Sequence, residues 1–371
     1  MQIHVIAFDI PYPADYGGVI DVYYKIKALK DSGLQVNLHC FQYGKRKQSD
    51  VLLGLCESVR YYKRSLSWVN QLSGLPFIVQ SRNNSLLIEN LCRDNYPILF
   101  EGIHTTCCIG DERLKDRTRL LRMHNIEWHY YANLALRESN IIRKSYLQLE
   151  SLRLKRYEKK LQQQDIRILA ISDADKRYFS ESGFRTVSLL PAFHPFGGVH
   201  SKPGRGKFVL FHGNLSVADN RDAAVFLMEK VFADLPFPLV IAGKNPDRDL
   251  YNKAKKYGAK VEIVANPDED KMRQLLGDAH AHVLWSFQPE GIKLKLYYAL
   301  CEGRFVIANS KVAENSGMKQ LLQIADSAGD VQELLKKAFA REFEMDEIAK
   351  RDAFLEKARS IQMELLKEIF Q

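Results

Sequence analysis

The sequence predicts an α/β protein built as two doubly wound domains facing each other across a cleft. Short β-type runs recur at residues 3–8, 36–41, 98–103, 120–123 and 168–171, mostly separated by segments of helical period. A second series follows at residues 208–211, 239–242, 261–264, 282–285 and 305–308. Each series implies a parallel sheet wrapped by helices, because compact apolar runs suit strands buried on both faces. Between them lies His194-Pro-Phe-Gly-Gly-Val-His-Ser-Lys-Pro-Gly-Arg-Gly206, dense in glycine and proline and ending just before a fresh strand. The expected first domain is 1–195 and the second 205–345. Helical period without strands follows, so residues 346–371 are expected to form a last helix that returns to the first domain.

Length and composition agree. A chain of 371 residues is long for one core, which favours two domains of ordinary size. Hydrophobic content of 46% with 27% charged residues describes a globular chain and excludes intrinsic disorder. The six cysteines form no Cys-x-x-Cys pair and have no histidine at metal-ligand spacing, so they read as thiols of a reducing compartment. The N-terminus reads as a first strand and not as a signal peptide, and no apolar run approaches the ~20 residues needed to span a bilayer. The expected location is cytoplasmic, with peripheral attachment at the inner face of the membrane.

The charge is uneven. Residues 1–195 hold 28 Lys and Arg against 20 Asp and Glu, a net +8, whereas residues 196–371 hold 26 against 25, a net +1. A basic half points to nucleic acid or an anionic membrane surface, and no nucleic-acid module signature accompanies it. An anionic membrane surface is therefore the expected partner, and nucleic acid is not. Arg60-Tyr-Tyr-Lys-Arg-Ser-Leu-Ser-Trp68 through Leu75-Pro-Phe-Ile-Val-Gln-Ser-Arg82 mixes basic, aromatic and apolar residues as an interfacial segment does. The basic run Arg153-Leu-Lys-Arg-Tyr-Glu-Lys-Lys160 has helical period and reads as a solvated face.

In open parallel sheets ligands sit at the carboxyl ends of strands, so the residues there are the candidates. After the first run comes Pro11-Tyr-Pro-Ala-Asp-Tyr-Gly-Gly18, where Gly17 and Gly18 let a backbone approach a ligand closely. Glu101-Gly-Ile-His104 and Arg122-Met-His-Asn-Ile-Glu127 follow later strands. Glu101, His104 and Arg82 stand as acceptor-side candidates. In the second domain Phe211-His-Gly-Asn-Leu-Ser-Val-Ala-Asp-Asn220 is a strand running into a glycine turn and a helix, a phosphate-friendly geometry at Gly213 and Asn214. The block Pro289-Glu-Gly-Ile-Lys-Leu-Lys-Leu-Tyr-Tyr-Ala-Leu-Cys-Glu-Gly303 places Lys293 and Lys295 in a first helical turn. Lysine there opposes the helix dipole, unless a phosphate shares the free N–H groups.

Taken together, the Gly17-Gly18 loop, Arg122-Met-His124-Asn125, Ala170-Ile-Ser-Asp173, His212-Gly-Asn-Leu-Ser-Val217, Ala242-Gly243 and the Glu290 to Gly303 block resemble a retaining glycosyltransferase of the GT-B fold. The resemblance is to the large family-four (group 1) set of nucleotide-sugar enzymes and covers nearly the whole length. It implies two Rossmann-like domains, a nucleotide-diphosphate sugar as donor substrate, a glycan or lipid-linked acceptor in envelope or exopolysaccharide synthesis, and no cofactor. It also implies that Glu290 and His124 meet the transferred sugar, with His124 stabilising charge at the leaving group. Gly17, Gly18, Gly213, Asn214, Gly243, Gly291, Ile292, Lys293, Lys295 and Tyr298 are the donor-binding candidates.

Two departures from the family pattern stand out. Tyr298 replaces the second Glu, expected to grip the ribose, and Asn214 and Asp219 stand where relatives carry Arg and Lys for the diphosphate. Lys293 and Lys295 are expected to supply the missing charge. No metal is implied, since no Asp-x-Asp pair stands where a diphosphate would need it, and the donor phosphate itself can take the acceptor's proton. Two other classes stay open: a nucleotide-sugar epimerase of the same fold, which would use Glu101, Asp111 or Glu290 as acid and base, and a non-catalytic sugar-nucleotide-binding protein.

Overall fold

The computed structural model describes every residue except 43, 45, 68–72, 289–293, 315 and 371, and the backbone alone of Phe370. Among the described residues one sheet has seven strands, β1 (Gln2–Ala7), β2 (Gln35–Gln42), β3 (Ser58–Lys63), β4 (Ile98–Glu101), β5 (Arg119–Met123), β6 (Arg167–Ala170) and β7 (Thr186–Leu189). Their order is β3-β2-β1-β4-β5-β6-β7, all parallel. The other sheet has six parallel strands, β8 (Val209–Asn214), β9 (Leu239–Lys244), β10 (Val261–Ala265), β11 (Ala281–Leu284), β12 (Phe305–Ala308) and β13 (Gln323–Ile324), in the order β10-β9-β8-β11-β12-β13.

The expected runs are all strands, and among the described residues three further strands, β3, β7 and β13, lie at sheet edges. Edge strands bury less and carry weaker apolar runs: β3 has one buried residue, Tyr62, and β7 none. This corrects the reading of residues 60–82 as one interfacial segment. Arg60 to Lys63 belong to β3, Tyr62 bonds His39 at 2.8 Å and Asn90 at 3.0 Å, and Arg64 donates to Ser81 Oγ at 2.8 Å. Trp68 lies outside the described residues.

Alternate residues of β1 feed opposite faces, as a pleated strand requires. Ile3, Val5 and Ala7 pack with Val22, Ile26 and Leu29 of the helix Gly17–Asp31, while Ile6 packs with Phe100 and Leu121 on the other side. In the second sheet Val209 and Phe211 share a core with Leu227, Phe232 and Trp285, and Leu210 one with Ala242 and Leu276.

The chain divides into a first unit, Met1–Pro195 with Gln362–Gln371, and a second, Phe196–Ile361. The final helix Met345–Phe370 therefore belongs to both, and its start stays with the second unit, unlike the expected 346–371 segment. Arg351, buried, donates to Gly303 O at 2.9 Å in the second unit. In the first, Leu366 and Ile369 join the β1 core and Gln362 Nε2 donates to Pro191 O at 3.0 Å.

Candidate functional site

In the first sheet the order of strand addition reverses between β1 and β4, and a doubly wound sheet opens its crevice at that point. The loop leaving β1 is built around Asp9, which accepts from Ile10 N and the Tyr16 hydroxyl, each at 2.8 Å. Arg46 lies 3.2 Å from Asp9, pairs with Asp15, and donates to Ile10 O and Pro13 O at 3.1 and 2.8 Å. This clamp delivers Gly17 and Gly18 as the first two residues of a helix whose N-terminus has no side-chain cap. First-turn N–H groups at such an end have no intrahelical acceptor. A Cβ on Gly18 would lie 2.6 Å from Phe8 Cζ, so glycine lets the Phe8 ring sit over the turn.

Behind that turn sits a buried charge cluster. Lys25 Nζ lies 2.7 and 2.8 Å from the Glu101 oxygens and 3.1 Å from Asp21. Arg122 lies 3.3 Å from Asp21, which also accepts from Phe193 N at 2.7 Å. Burial works to raise both carboxyls, but Arg122 and Lys25 at Asp21, and Lys25 at Glu101, outweigh it and hold both below the ordinary carboxylate range. His124, at the end of β5, bonds Glu101 through Nε2 at 2.9 Å. Its Nδ1 is 3.7 Å from Asp21, beyond hydrogen-bond range, and is the nitrogen a ligand could use. Ligand-type atoms of Asp21, Glu101 and His124 lie within 4.8 Å of one another, yet the Lys25 ammonium already bridges the two carboxylates.

Glu101 is thus no acceptor contact. It is fully buried, and its oxygens are taken by Lys25 and His124. His104 packs beside Phe8: its ring lies 5.5 Å from the Phe8 ring, its buried Nδ1 has no hydrogen-bond partner, and burial with Arg82 nearby lowers its pKa well below the usual imidazole value. Gly102, at φ +74°, would place a Cβ 2.9 Å from that nitrogen. Arg82 is buried too. It donates to Phe8 O at 2.9 Å and Ile78 O at 2.7 Å, which makes it a strut for the end of β1 and not an acceptor contact.

Three residues here were given no role by the sequence reading. Asp21 and Lys25 are four apart in the helix Gly17–Asp31, whose buried stripe includes Val22, Ile26 and Leu29; charges inside an apolar stripe were the available signal. Glu127, buried at the start of the helix Glu127–Arg137, accepts from Asn125 Nδ2 at 3.4 Å, and burial pushes its carboxyl up to about 7.

In the second sheet the order of strand addition reverses between β8 and β11. Gly213 and Gly243 are paired across β8 and β9, and a Cβ on Gly243 would stand 1.8 Å from Gly213 O. Asn214 Oδ1 accepts from Ser216 N at 3.1 Å and its carbonyl accepts from Asn220 at 3.0 Å, so Asn214 shapes the turn. Asp219 is buried, accepting from Ser286 Oγ at 2.6 Å and Phe287 N at 2.8 Å, and ties the helix Ala218–Phe226 to the segment after β11. Asn214 and Asp219, which stand where the family pattern has Arg and Lys, therefore hold loops in place.

Lys295 opens the helix Lys295–Glu302. Its Nζ reaches Asn220 Oδ1 at 3.2 Å and Trp285 O at 3.3 Å and lies 5.2 Å from the Phe211 ring centre, at the carboxyl end of the sheet. Those contacts answer the dipole problem by turning the ammonium back toward the strands. Tyr298 packs edge-on against Phe196 at 4.8 Å and His212 at 6.4 Å, and burial raises its phenol pKa. Glu290, Gly291, Ile292 and Lys293 lie outside the described residues.

Residues 206–339 match the family described as glycosyl transferases group 1. An uncharacterized 44.6 kDa protein in the cps region of Klebsiella pneumoniae is 26% identical over 339 residues, 85% of this chain and 84% of that one. Among solved structures, Anabaena Alr3699/HepE in complex with UDP and glucose superposes with a TM-score of 0.66 at 11% identity, covering 100% of this chain and 99% of that one. TarM gives 0.64 at 10% identity, over 100% and 98%. The chain thus has the GT-B fold, and residues 206–339 are similar to the group 1 glycosyl transferase family.

Proposed function

We propose that the chain is a retaining, metal-independent glycosyltransferase that moves a sugar from a nucleotide diphosphate to a glycan or lipid-linked acceptor in envelope or exopolysaccharide biosynthesis. The observation that carries this reading is the placement of Lys295 beside Asn220 and Trp285 O at the β8/β11 reversal, inside the segment that matches the group 1 family. A lysine there, with the turn that follows Asn214 and leads into the helix Ala218–Phe226, suits a diphosphate. The UDP and glucose held by the Anabaena structure and the cps-region relative support the donor class and the polysaccharide setting.

In this reading the second unit grips the nucleotide and His124 serves the reacting sugar. Glu101 orients the imidazole, Lys25 fixes Glu101, and Nδ1 is left for the donor. Glu290 is assigned to the same sugar, and the donor phosphate takes the acceptor's proton, so no protein base is needed. The epimerase alternative is weakened by the carboxylates themselves: Glu101 is committed to Lys25 and His124, and Asp111 caps a turn and pairs with Arg113 at 2.8 Å.

A thermal-shift panel of uridine, guanosine, adenosine and thymidine diphosphates tests the donor, since a ligand at ~100 times its dissociation constant adds about 2.7 kcal/mol. Lys295→Ala should weaken the diphosphate far more than the nucleoside; equal weakening refutes the assignment. Labelled sugar nucleotide without acceptor should stay unconverted, whereas an epimerase would convert it.

A further inference from the structure

The helix Ile141–Leu161 separates its side chains by charge. Its two acids are both buried: Glu150 accepts from Phe77 N at 2.7 Å and pairs with Arg153 at 2.8 Å, and Glu158 accepts from the Tyr178 hydroxyl at 2.6 Å. On the opposite side, at helical spacing, Ile141, Ile142, Leu149 and Leu152 are exposed, followed by exposed Arg156, Lys159 and Lys160. The last turn of the helix Glu127–Arg137 adds Leu136, and Leu136, Ile141 and Ile142 are 74%, 78% and 78% exposed. Isolated exposed aliphatics need no explanation, but a row of them on one face, continuous with a cationic row, does.

We propose that this face docks on an anionic lipid bilayer, the apolar turn entering the headgroup boundary and the basic row meeting lipid phosphates. The charge selects the occupant. The exposed face of this helix carries cations and no acid, so a second copy of the same face would be repelled, while an anionic surface is complementary. Three exposed aliphatic side chains at the tip distinguish lipid from nucleic acid, whose backbone offers them nothing to enter. The run Arg153 to Lys160 therefore does more than face solvent, and the docking surface lies here and not in residues 60–82. The inference stands apart from glycosyl transfer, because vesicle binding and nucleotide binding are read separately.

The test is flotation of the full chain with vesicles of phosphatidylcholine alone or with phosphatidylglycerol, at low and high salt. Wild-type protein should float with the anionic vesicles at low salt and be released as salt rises. Exchanging Arg156, Lys159 and Lys160 for Gln should lower partitioning about a hundredfold, at about fivefold per charge. Ile141→Ser with Ile142→Ser should weaken binding that survives moderate salt. All these positions are exposed, so unchanged circular dichroism and melting temperature should accompany the loss. Several outcomes overturn the proposal: no binding to anionic vesicles, equal binding to neutral ones, full binding by the charge variant, or loss only when Lys63 and Arg64 are exchanged. A change from dimer to monomer in the Ile variants with vesicle binding intact would assign the face to self-association instead.

Discussion

The Lys25 ammonium sits 2.7 and 2.8 Å from the two oxygens of Glu101, with both side chains shut off from solvent. Buried charges of this kind persist only when each is answered, and here Asp21 and Arg122 complete the set. His124 is attached to this cluster through the same Glu101.

Lys25→Met should therefore be severely destabilising, by about 3–5 kcal/mol, because Glu101 and Asp21 lose their shared cation. Adding Glu101→Gln should recover part of the loss. Urea unfolding of the single and double variants measures both; additive losses would contradict the coupling. The depressed carboxyls fix the pH sense: their contribution is present above the unfolded carboxylate pKa and lost as pH falls through the folded values. Acid unfolding of Lys25→Met should accordingly be less steep than that of the wild type.

Glu127 has the opposite sense. Its folded pKa is raised to about 7, so the folded state prefers the protonated form and its stability falls as pH rises from the unfolded value toward 7. Glu127→Gln should be more stable than wild type at pH 8 by about 1–3 kcal/mol, and the difference should vanish near pH 4. A constant difference across that range would show the carboxyl is ionised in the fold.

Two glycines should fail differently. Gly243→Ala places a methyl 1.8 Å from the Gly213 carbonyl oxygen, a backbone atom that cannot step aside, so β8 and β9 must separate. A loss of at least about 3 kcal/mol is expected in thermal unfolding. At Gly18→Ala the obstacle is the tip of the Phe8 ring, 2.6 Å away, which can rotate. Stability should change little, while turnover drops, since Phe8 packs against His104 and His124 at 5.5 and 5.4 Å.

His124→Ala and Glu290→Gln should each reduce turnover strongly while leaving the affinity for bare nucleotide diphosphate nearly intact, the pattern of residues that serve the reacting sugar. Isothermal titration beside steady-state kinetics separates the two effects. Wild-type turnover in either variant removes that residue from the site.

The local signals in the sequence reached as far as local physics extends. Apolar runs marked the central strands, the Gly and Pro cluster at 194–206 marked the change of domain, and Gly17 and Gly18 marked the start of a helix, because these signals are read within a few residues; Gly213, expected in a turn, is instead a strand residue of β8. The edge strand β3 was misread as part of an interfacial segment, since an edge has no signature of its own, whereas the basic run ending at Lys160 does lie on an exposed helix face. Only the tertiary structure decided which charges answer one another. Lys25 meets Glu101 across 76 residues and Asp21 meets the Phe193 amide across 172, and a lysine in a helical stripe shows its burial only when the partner strand arrives. It likewise turned Arg82 and Glu101 from acceptor candidates into supports, because their atoms are used up by Phe8 O, Ile78 O, Lys25 and His124 once the sheet closes. Sequence determines where the chain can bend and what it can bury; which buried polar groups remain available for chemistry is set by long-range pairing, since each hydrogen bond made inside the fold removes a group from the site.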